Sequence, residues 1–313
     1  MWGDLMVRDS FYSSAGAGLI RARTWEPECQ PKGIVQLVHG IVEHVERYDA
    51  FAKYLNGLGY LVVAEDHMGH GKSGGNDCVR GYFYGGWFAA VEDTYRLLRD
   101  TKARYPNIPY ILFGHSMGSF ITRTILIKHP DSGISGAVIC GTGWIPNLVL
   151  NAGVQICKMN CKLFDEMQPN EKLQNLAFGT YNSKVERPRT TYDWLNRDQK
   201  AVDAYIADPN CGFVVSGGLM RDMLTGMLFN QKSKNLQKME KTLPVFFIAG
   251  GDDPVGDYGK GVKKAVDNFK KCGMQKVSSK IYPLCRHEIL NEINNGLIYQ
   301  DVSSWIETVL QPL

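Results

Sequence analysis

With 313 residues the chain can bury one large core or two smaller ones, and 44% hydrophobic with 21% charged residues is an ordinary balance for a globular protein. The net charge of +3 is not gathered into a basic block, which argues against a nucleic-acid partner; the lysines of 232–241 read as a solvated face. No run of about 18 apolar residues offers a membrane span, Met1 to Met6 lack the pattern of a secretory leader, and eight cysteines are too sparse for a disulfide scaffold, so free thiols and a cytoplasmic location are expected.

Residues 11–25 read as a hairpin opening the sheet, with Gly16 and Gly18 at its turn. The segment 33–39 is a buried strand, and 46–58 carries apolar residues at helical spacing before Gly59 stops it. A second strand spans 60–64, a long helix 87–105, and a third strand 109–113 runs at once into a helix over 117–129. Further strands fall at 135–140, 243–249 and 279–282. Short apolar strands alternating with amphipathic segments predict a mostly parallel sheet. The rhythm breaks between about Gly143 and Leu228, where helix-like segments such as 148–163 and 192–207 replace the strands. Without linker-like, repetitive or low-complexity sequence, this reads as one domain, 1–313, with a helical cap over 143–228. The cap would lie over the carboxyl ends of the strands, where open α/β sheets keep their sites.

Gly114-His115-Ser116-Met117-Gly118 follows an apolar strand and opens a helix. A serine hydroxyl is a weak nucleophile that needs exposure and a base within reach. A sharp strand-to-helix turn gives the exposure by forcing unusual backbone angles at the serine, and glycine two residues to either side avoids collision. The helix then aims its amino-terminal dipole at charge developing on an attacked carbonyl. The bland alternative is a glycine-rich turn with a capping serine.

Such an elbow orders its partners serine, acid, histidine along the chain. Of the seven histidines only His287 lies beyond the cap and after a plausible acid, which makes it the expected base. The acid should follow the strand 243–249, where Asp252 and Asp253 compete. Asp253 is preferred because Pro254 pins it in an extended conformation, leaving Asp252 to cap the turn. Two backbone amides should form an oxyanion hole: Met117, next after the nucleophile, and Ile41, in the loop that begins His39-Gly40. His39 itself reads as a loop-fixing residue. No cofactor or metal is expected; Cys157 and Cys161 stand at i, i+4, but no second Cys/His pair is near them.

Around these residues stand Val38-His39-Gly40, Glu43-His44, Arg47-Tyr48, Asp66-His67, Gly69-His70-Gly71, Ser73, Asp253-Pro254 and Arg286-His287-Glu288. Together with the Gly-His-Ser-Met-Gly elbow, this combination resembles the monoacylglycerol lipase and lysophospholipase-like, serine aminopeptidase-type branch of the α/β hydrolases. The likeness covers roughly 10–145 and 240–310. Over the cap it is looser, although Asp193-Trp194-Leu195 through Arg197-Asp198 and Asp208-Pro209 to Gly212-Phe213 are similar to uncharacterised bacterial members. The resemblance implies the α/β-hydrolase fold, a triad of Ser116, Asp253 and His287, an apolar acyl tunnel under the cap, and a small-molecule acyl ester as substrate. It also implies that Glu43 and Arg47 lie near the polar head of that substrate; the alternative is a local salt bridge at i, i+4. Gly69-His70-Gly71 with Ser73 reads as a supporting turn.

One position departs from the pattern. Monoacylglycerol lipases carry a second histidine three residues after the catalytic one, and here that residue is Leu290, which loosens the inference about the leaving alcohol. In the cap, Trp144, Ile145, Leu148, Val149, Leu150, Val154 and Ile156, with Leu219, Met220, Met223 and Met227 further on, read as core packing and also as a lip for acyl chains or a lipid surface. The rival activity is a serine aminopeptidase of the same fold. Prolyl aminopeptidases, however, carry His-Gly-Gly-Pro-Gly where this chain has His39-Gly40-Ile41-Val42-Glu43, and dehalogenases or epoxide hydrolases need aspartate at position 116. The non-enzymatic rival is an inactive fold member that binds an apolar ligand.

Overall fold

Why the strand signal was strong in mid-chain becomes plain from the sheet. The computed structural model describes residues 10–75 and 78–311; the opening segment read for a leader lies outside them. Eight strands pair in the order β1-β2-β4-β3-β5-β6-β7-β8. β1 (Ser10–Tyr12) and β2 (Leu19–Trp25) form the hairpin, and β2 lies antiparallel to β4 (Tyr60–Glu65). From β4 onward the sheet is parallel, through β3 (Gly33–Val38), β5 (Tyr110–His115), β6 (Gly136–Cys140), β7 (Val245–Gly250) and β8 (Val277–Tyr282).

Helices cover both faces, so strands β3 to β7 are buried on each side and read as unbroken apolar runs. On one face α1 (Asp49–Gly57) and α10 (Asn295–Leu310) pack through Phe51, Leu55, Ile298, Val302 and Ile306. On the other lie α2 (Gly86–Arg104), α3 (Met117–Lys128) and α9 (Lys260–Lys271), with Val91, Ile121, Ile125, Val262 and Phe269 turned inward. The helix expected over 46–58 begins instead as a 3-10 turn, Val45–Tyr48, before α1. β8, at the sheet edge and mostly exposed, starts two residues before the expected 279.

Between β6 and β7 the chain forms α4 (Asn147–Leu163), α5 (Glu171–Phe178), α6 (Gln199–Ala207), α7 (Gly217–Gln231) and α8 (Ser233–Leu236). α7 is buried nearly all round and reaches the core through Gly226, where a Cβ would fall on the Trp87 indole. The expected single helix over 192–207 is in fact a 3-10 turn, Asp193–Leu195, followed by α6. Two aspartates cause the break: Asp193 bonds back to the Thr190 amide and hydroxyl, and Asp198 caps α6 by accepting from the Lys200 amide. On α4, Leu150, Val154 and Cys157 pack inward while Leu148, Val149, Ile156, Met159, Leu163 and Phe164 are exposed. Among the described residues no helix is long and apolar enough to cross a membrane.

Candidate active site

The loops after the parallel strands gather at one end of the sheet. β5 ends at His115, and Ser116 takes φ 53° and ψ −120° before α3 begins. That left-handed φ is a strained conformation for a residue with a side chain, held here by the surroundings. The Ser116 amide donates to Cys140 O at 3.0 Å, and its carbonyl accepts from the Ser119 amide and hydroxyl. Both flanking glycines are required by contact. A Cβ on Gly114 would strike Thr122 Oγ1 and the Gly118 carbonyl; one on Gly118 would strike the Val38 carbonyl.

The loop after β3 is fixed atom by atom. His39 Nε2 accepts from the His67 amide at 2.9 Å, so its proton sits on Nδ1 and is donated to Gly40 O at 2.7 Å. Burial, with His67 and His70 beside it, pushes His39 well below the usual imidazole value and keeps it neutral. The Gly40–Ile41 peptide is trans, so a carbonyl held by His39 turns the Ile41 N–H the opposite way. Neither the Ile41 nor the Met117 amide donates to another protein group among the described residues. Ile41, Met117 and Ser116 line one cavity together. Ser73 ties the turn after β4 in place: its Oγ accepts from the Arg21 amide and donates to Asp66 O.

After β8, His287 is buried with Nδ1 2.9 Å from Asp253 Oδ2. A carboxylate only accepts, so Nδ1 carries the proton and Nε2 is left basic. Asp253 is fully buried, its other oxygen accepting from the Val255 amide at 2.9 Å, whereas Asp252 is exposed and only its backbone N–H is engaged, with Cys285 O. The structure thus brings Asp253, not Asp252, to His287. Leu290 packs into the core beside α1 and α10 rather than into the site.

Glu43 and Arg47 belong to a buried ionic cluster. Glu43 Oε1 accepts from the Gly40 amide at 2.6 Å and from the Tyr48 hydroxyl at 2.8 Å, and faces His115 Nδ1 at 3.2 Å. Its Oε2 accepts from Arg47 at 2.8 Å, and Arg47 also forks onto Glu288 at 2.5 and 2.7 Å. Burial opposes the charge on Glu43, but His115 and Arg47 outweigh it and hold the carboxyl well below its usual value. Burial likewise opposes charge on His115, and the Glu43 hydrogen bond outweighs it, so this imidazole is held above its usual value. His115 Nε2 then donates to His287 O at 3.3 Å. The local salt bridge foreseen as the alternative for this pair is present; Glu43 also lines a pocket, while Arg47 lies behind it. Sequence reasoning missed Glu288 and His115 as members of this cluster. The only local signal was their place inside two already noted motifs.

Two cavities meet at Ser116. One, of about 390 Å³, is walled by apolar side chains including Phe120, Val149, Leu176, Met220, Met223 and Leu224. The other, of about 300 Å³, presents Glu43, Gln174, Asn182, Tyr192, Glu288 and His287. Ile41, Ser116, Phe178 and Trp194 border both. Both volumes suit a small ligand.

The chain is similar to known proteins over most of its length. The family model for serine aminopeptidase, S33 matches residues 29–294. The monoacylglycerol lipase of Mycolicibacterium smegmatis is 30% identical over 303 residues, 95% of this chain and 96% of that one, and human monoglyceride lipase is 29% identical over 291 residues, 91% and 85% respectively. A thermostable carboxyl esterase from Bacillus coagulans, solved in complex with glycerol, superposes with a TM-score of 0.87 at 30% identity, covering 96% of this chain and 98% of its own. The fold and its site define an α/β hydrolase that acts on carboxylic esters. The chain belongs to the serine aminopeptidase, S33 family.

Proposed function

We propose that Ser116, His287 and Asp253 form a catalytic triad that cleaves acyl esters of the monoacylglycerol or lysophospholipid kind through an acyl-enzyme on Ser116. The observation that carries this reading is the junction of an apolar and a polar cavity at a serine in an elbow, with a carboxylate-oriented histidine on the same wall. The acyl chain would enter the apolar cavity and the alcohol the polar one. His287 Nε2 takes the Ser116 proton as Oγ attacks the ester carbonyl, and the Ile41 and Met117 amides receive the oxyanion. Collapse expels the alcohol with the proton from His287. Water then enters, gives its proton to His287, attacks the acyl-serine, and releases the acid with Ser116 restored.

Helices α4 to α7 serve as the cap in this reading, and the exposed apolar face of α4 supports contact with a lipid surface. The free thiols of Cys140, Cys157, Cys211 and Cys285 support a cytoplasmic setting. A peptidase activity has less support. Both carboxylates at the polar cavity are already bonded, Glu43 by four donors and Glu288 by Arg47, so neither is free for a peptide amino terminus.

The test is a series of p-nitrophenyl esters of graded chain length, with dipeptide p-nitroanilides alongside and Ser116→Ala as control. Ester turnover is expected, rising from acetate to octanoate, with Ser116→Ala at background. Equal background turnover by both proteins would sink the enzymatic reading in favour of an inactive binder. A preference for acetate would remove the acyl cavity from the proposal, and anilide turnover above ester turnover would establish the peptidase.

A further inference from the structure

The two cysteines that attract notice in the sequence, Cys157 and Cys161, are not where potential metal donors converge. They converge at His44, Asp208 and Cys211, whose donor atoms all lie within 4.8 Å of one another. We propose that these three side chains form a site for one divalent cation of the zinc class, joining the segment after α6 to the loop that bears Ile41.

His44 precedes the 3-10 turn Val45–Tyr48, and Asp208 ends α6, so the tertiary fold assembles the group from segments 164 residues apart. Asp208 is already oriented: its Oδ1 accepts from the Asn210 amide at 2.8 Å, its backbone carbonyl accepts from the Cys211 amide at 3.0 Å, and its Oδ2 faces His44 Nε2 at 2.8 Å. The Cys211 side chain is buried, and its sulfur makes no hydrogen bond among the described residues. Cys285, by contrast, is buried with its thiol bonded to Asn294.

One imidazole nitrogen, one thiolate and one carboxylate are the donor set of a four-coordinate zinc site whose fourth ligand is water. Too few oxygens converge for calcium or magnesium. At bond lengths of about 2.0–2.3 Å, tetrahedral donors stand roughly 3.5 Å apart, so the widest pair here closes by about 1 Å through side-chain rotation. Charge balances as well: a dication meets one thiolate and one carboxylate. Arg47, the nearby cation, is already paired with Glu43 and Glu288. Burial pushes the Cys211 thiol well up, so it stays protonated until a cation binds. On binding, that proton leaves to solvent. His44 binds as the neutral imidazole through Nε2, whose proton passes to solvent as Nδ1 takes one up.

An occupied site would stiffen one wall of the polar cavity, because the Gly212 amide next to Cys211 donates to Val42 O at 3.0 Å. The test is a titration of the full chain, freed of metal by a chelator, with Co²⁺ and then Zn²⁺. One equivalent of Co²⁺ should give a thiolate-to-metal absorption band in the near ultraviolet that Zn²⁺ abolishes, and Zn²⁺ should raise the melting midpoint. Cys29→Ser, at an exposed thiol, should retain both effects. Cys211→Ser should lose the band, and His44→Gln should bind about tenfold more weakly or worse. Melting in chelator shows which variants fold; should Cys211→Ser not fold, Asp208→Asn, with its thiol intact, must show the weakened binding. No band in the folded wild type overturns the proposal, as does a band of equal strength and affinity in Cys211→Ser or in both His44→Gln and Asp208→Asn.

Discussion

Replacing Glu43 by glutamine separates its two roles. Four donors reach this carboxylate: the Gly40 amide at 2.6 Å, the Tyr48 hydroxyl and Arg47 at 2.8 Å, and His115 at 3.2 Å. Glutamine keeps the volume but has one oxygen and no charge, so at least two donors lose their partner. Hydrogen bonds to a charged group are worth about 1.5–3 kcal/mol each, which puts the loss of stability at about 3–6 kcal/mol. Arg47 is not stranded, since Glu288 still holds it. Where the Gly40 N–H is one of the donors left without a partner, the loop is held only by His39 at the Gly40 carbonyl and the Ile41 amide is aimed less firmly; an oxyanion donor is worth up to roughly 10²–10³ in kcat. The assay is steady-state hydrolysis of p-nitrophenyl octanoate beside release of glycerol from a monoacylglycerol, at a temperature where melting shows the variant folded. kcat should fall alike for both substrates, with KM little changed. If the nitrophenyl ester were cleaved at the wild-type rate while the monoacylglycerol alone suffered, Glu43 would be a contact for the substrate head and the loop argument would be wrong.

Asp253→Asn should lower kcat by about 10⁴, because the amide no longer holds His287 in its productive tautomer, whereas Asp252→Asn at an exposed position should stay within about twofold; the reverse ranking would reassign the acid. Burial raises the Glu65 carboxyl to about 8, so the folded protein keeps a proton that the unfolded chain gives up above about 4.5, and stability is lost as pH rises across that window. Glu65→Gln should therefore gain on wild type by about 3–4 kcal/mol between pH 5 and pH 8 in urea midpoints, and a pH-independent difference would contradict this. Gly118→Ala drives a Cβ into the Val38 carbonyl, and should lower both the melting midpoint and turnover; a variant with wild-type activity and stability would show that the elbow can relax.

Strands β3 to β7 were legible because helices bury both of their faces, so apolar character runs unbroken through each. At the rims the signal weakened: β8 is an exposed edge strand of Ser, Lys and Tyr, and only its last residues stood out. The lysines of α9 hide an inward face of Val262, Val266 and Phe269, and that helix went unread. Around Ser116 the elbow was legible because strand, glycines and helix are contiguous. Pro254 separated Asp253 from Asp252 for the same local reason. The cluster of Glu43, Arg47, His115 and Glu288 was not, because Arg47 and Glu288 are 241 residues apart and no periodicity connects them. The break in 192–207 escaped because Asp193 and Asp198 act through hydrogen bonds to nearby backbone, which helical spacing of apolar residues does not report.

The junction of two cavities at Ser116 bears on what happens after the first product leaves. In the proposed reaction, an acyl chain lodged among Phe120, Met220 and Leu224 would stay put while the polar compartment empties. Water is not the only hydroxyl that fits there: in about 300 Å³ a small alcohol can approach the same acyl carbonyl, beside the same histidine. The acyl-serine is then a branch point, and the ratio of acid to transferred ester follows the concentration of alcohol around it.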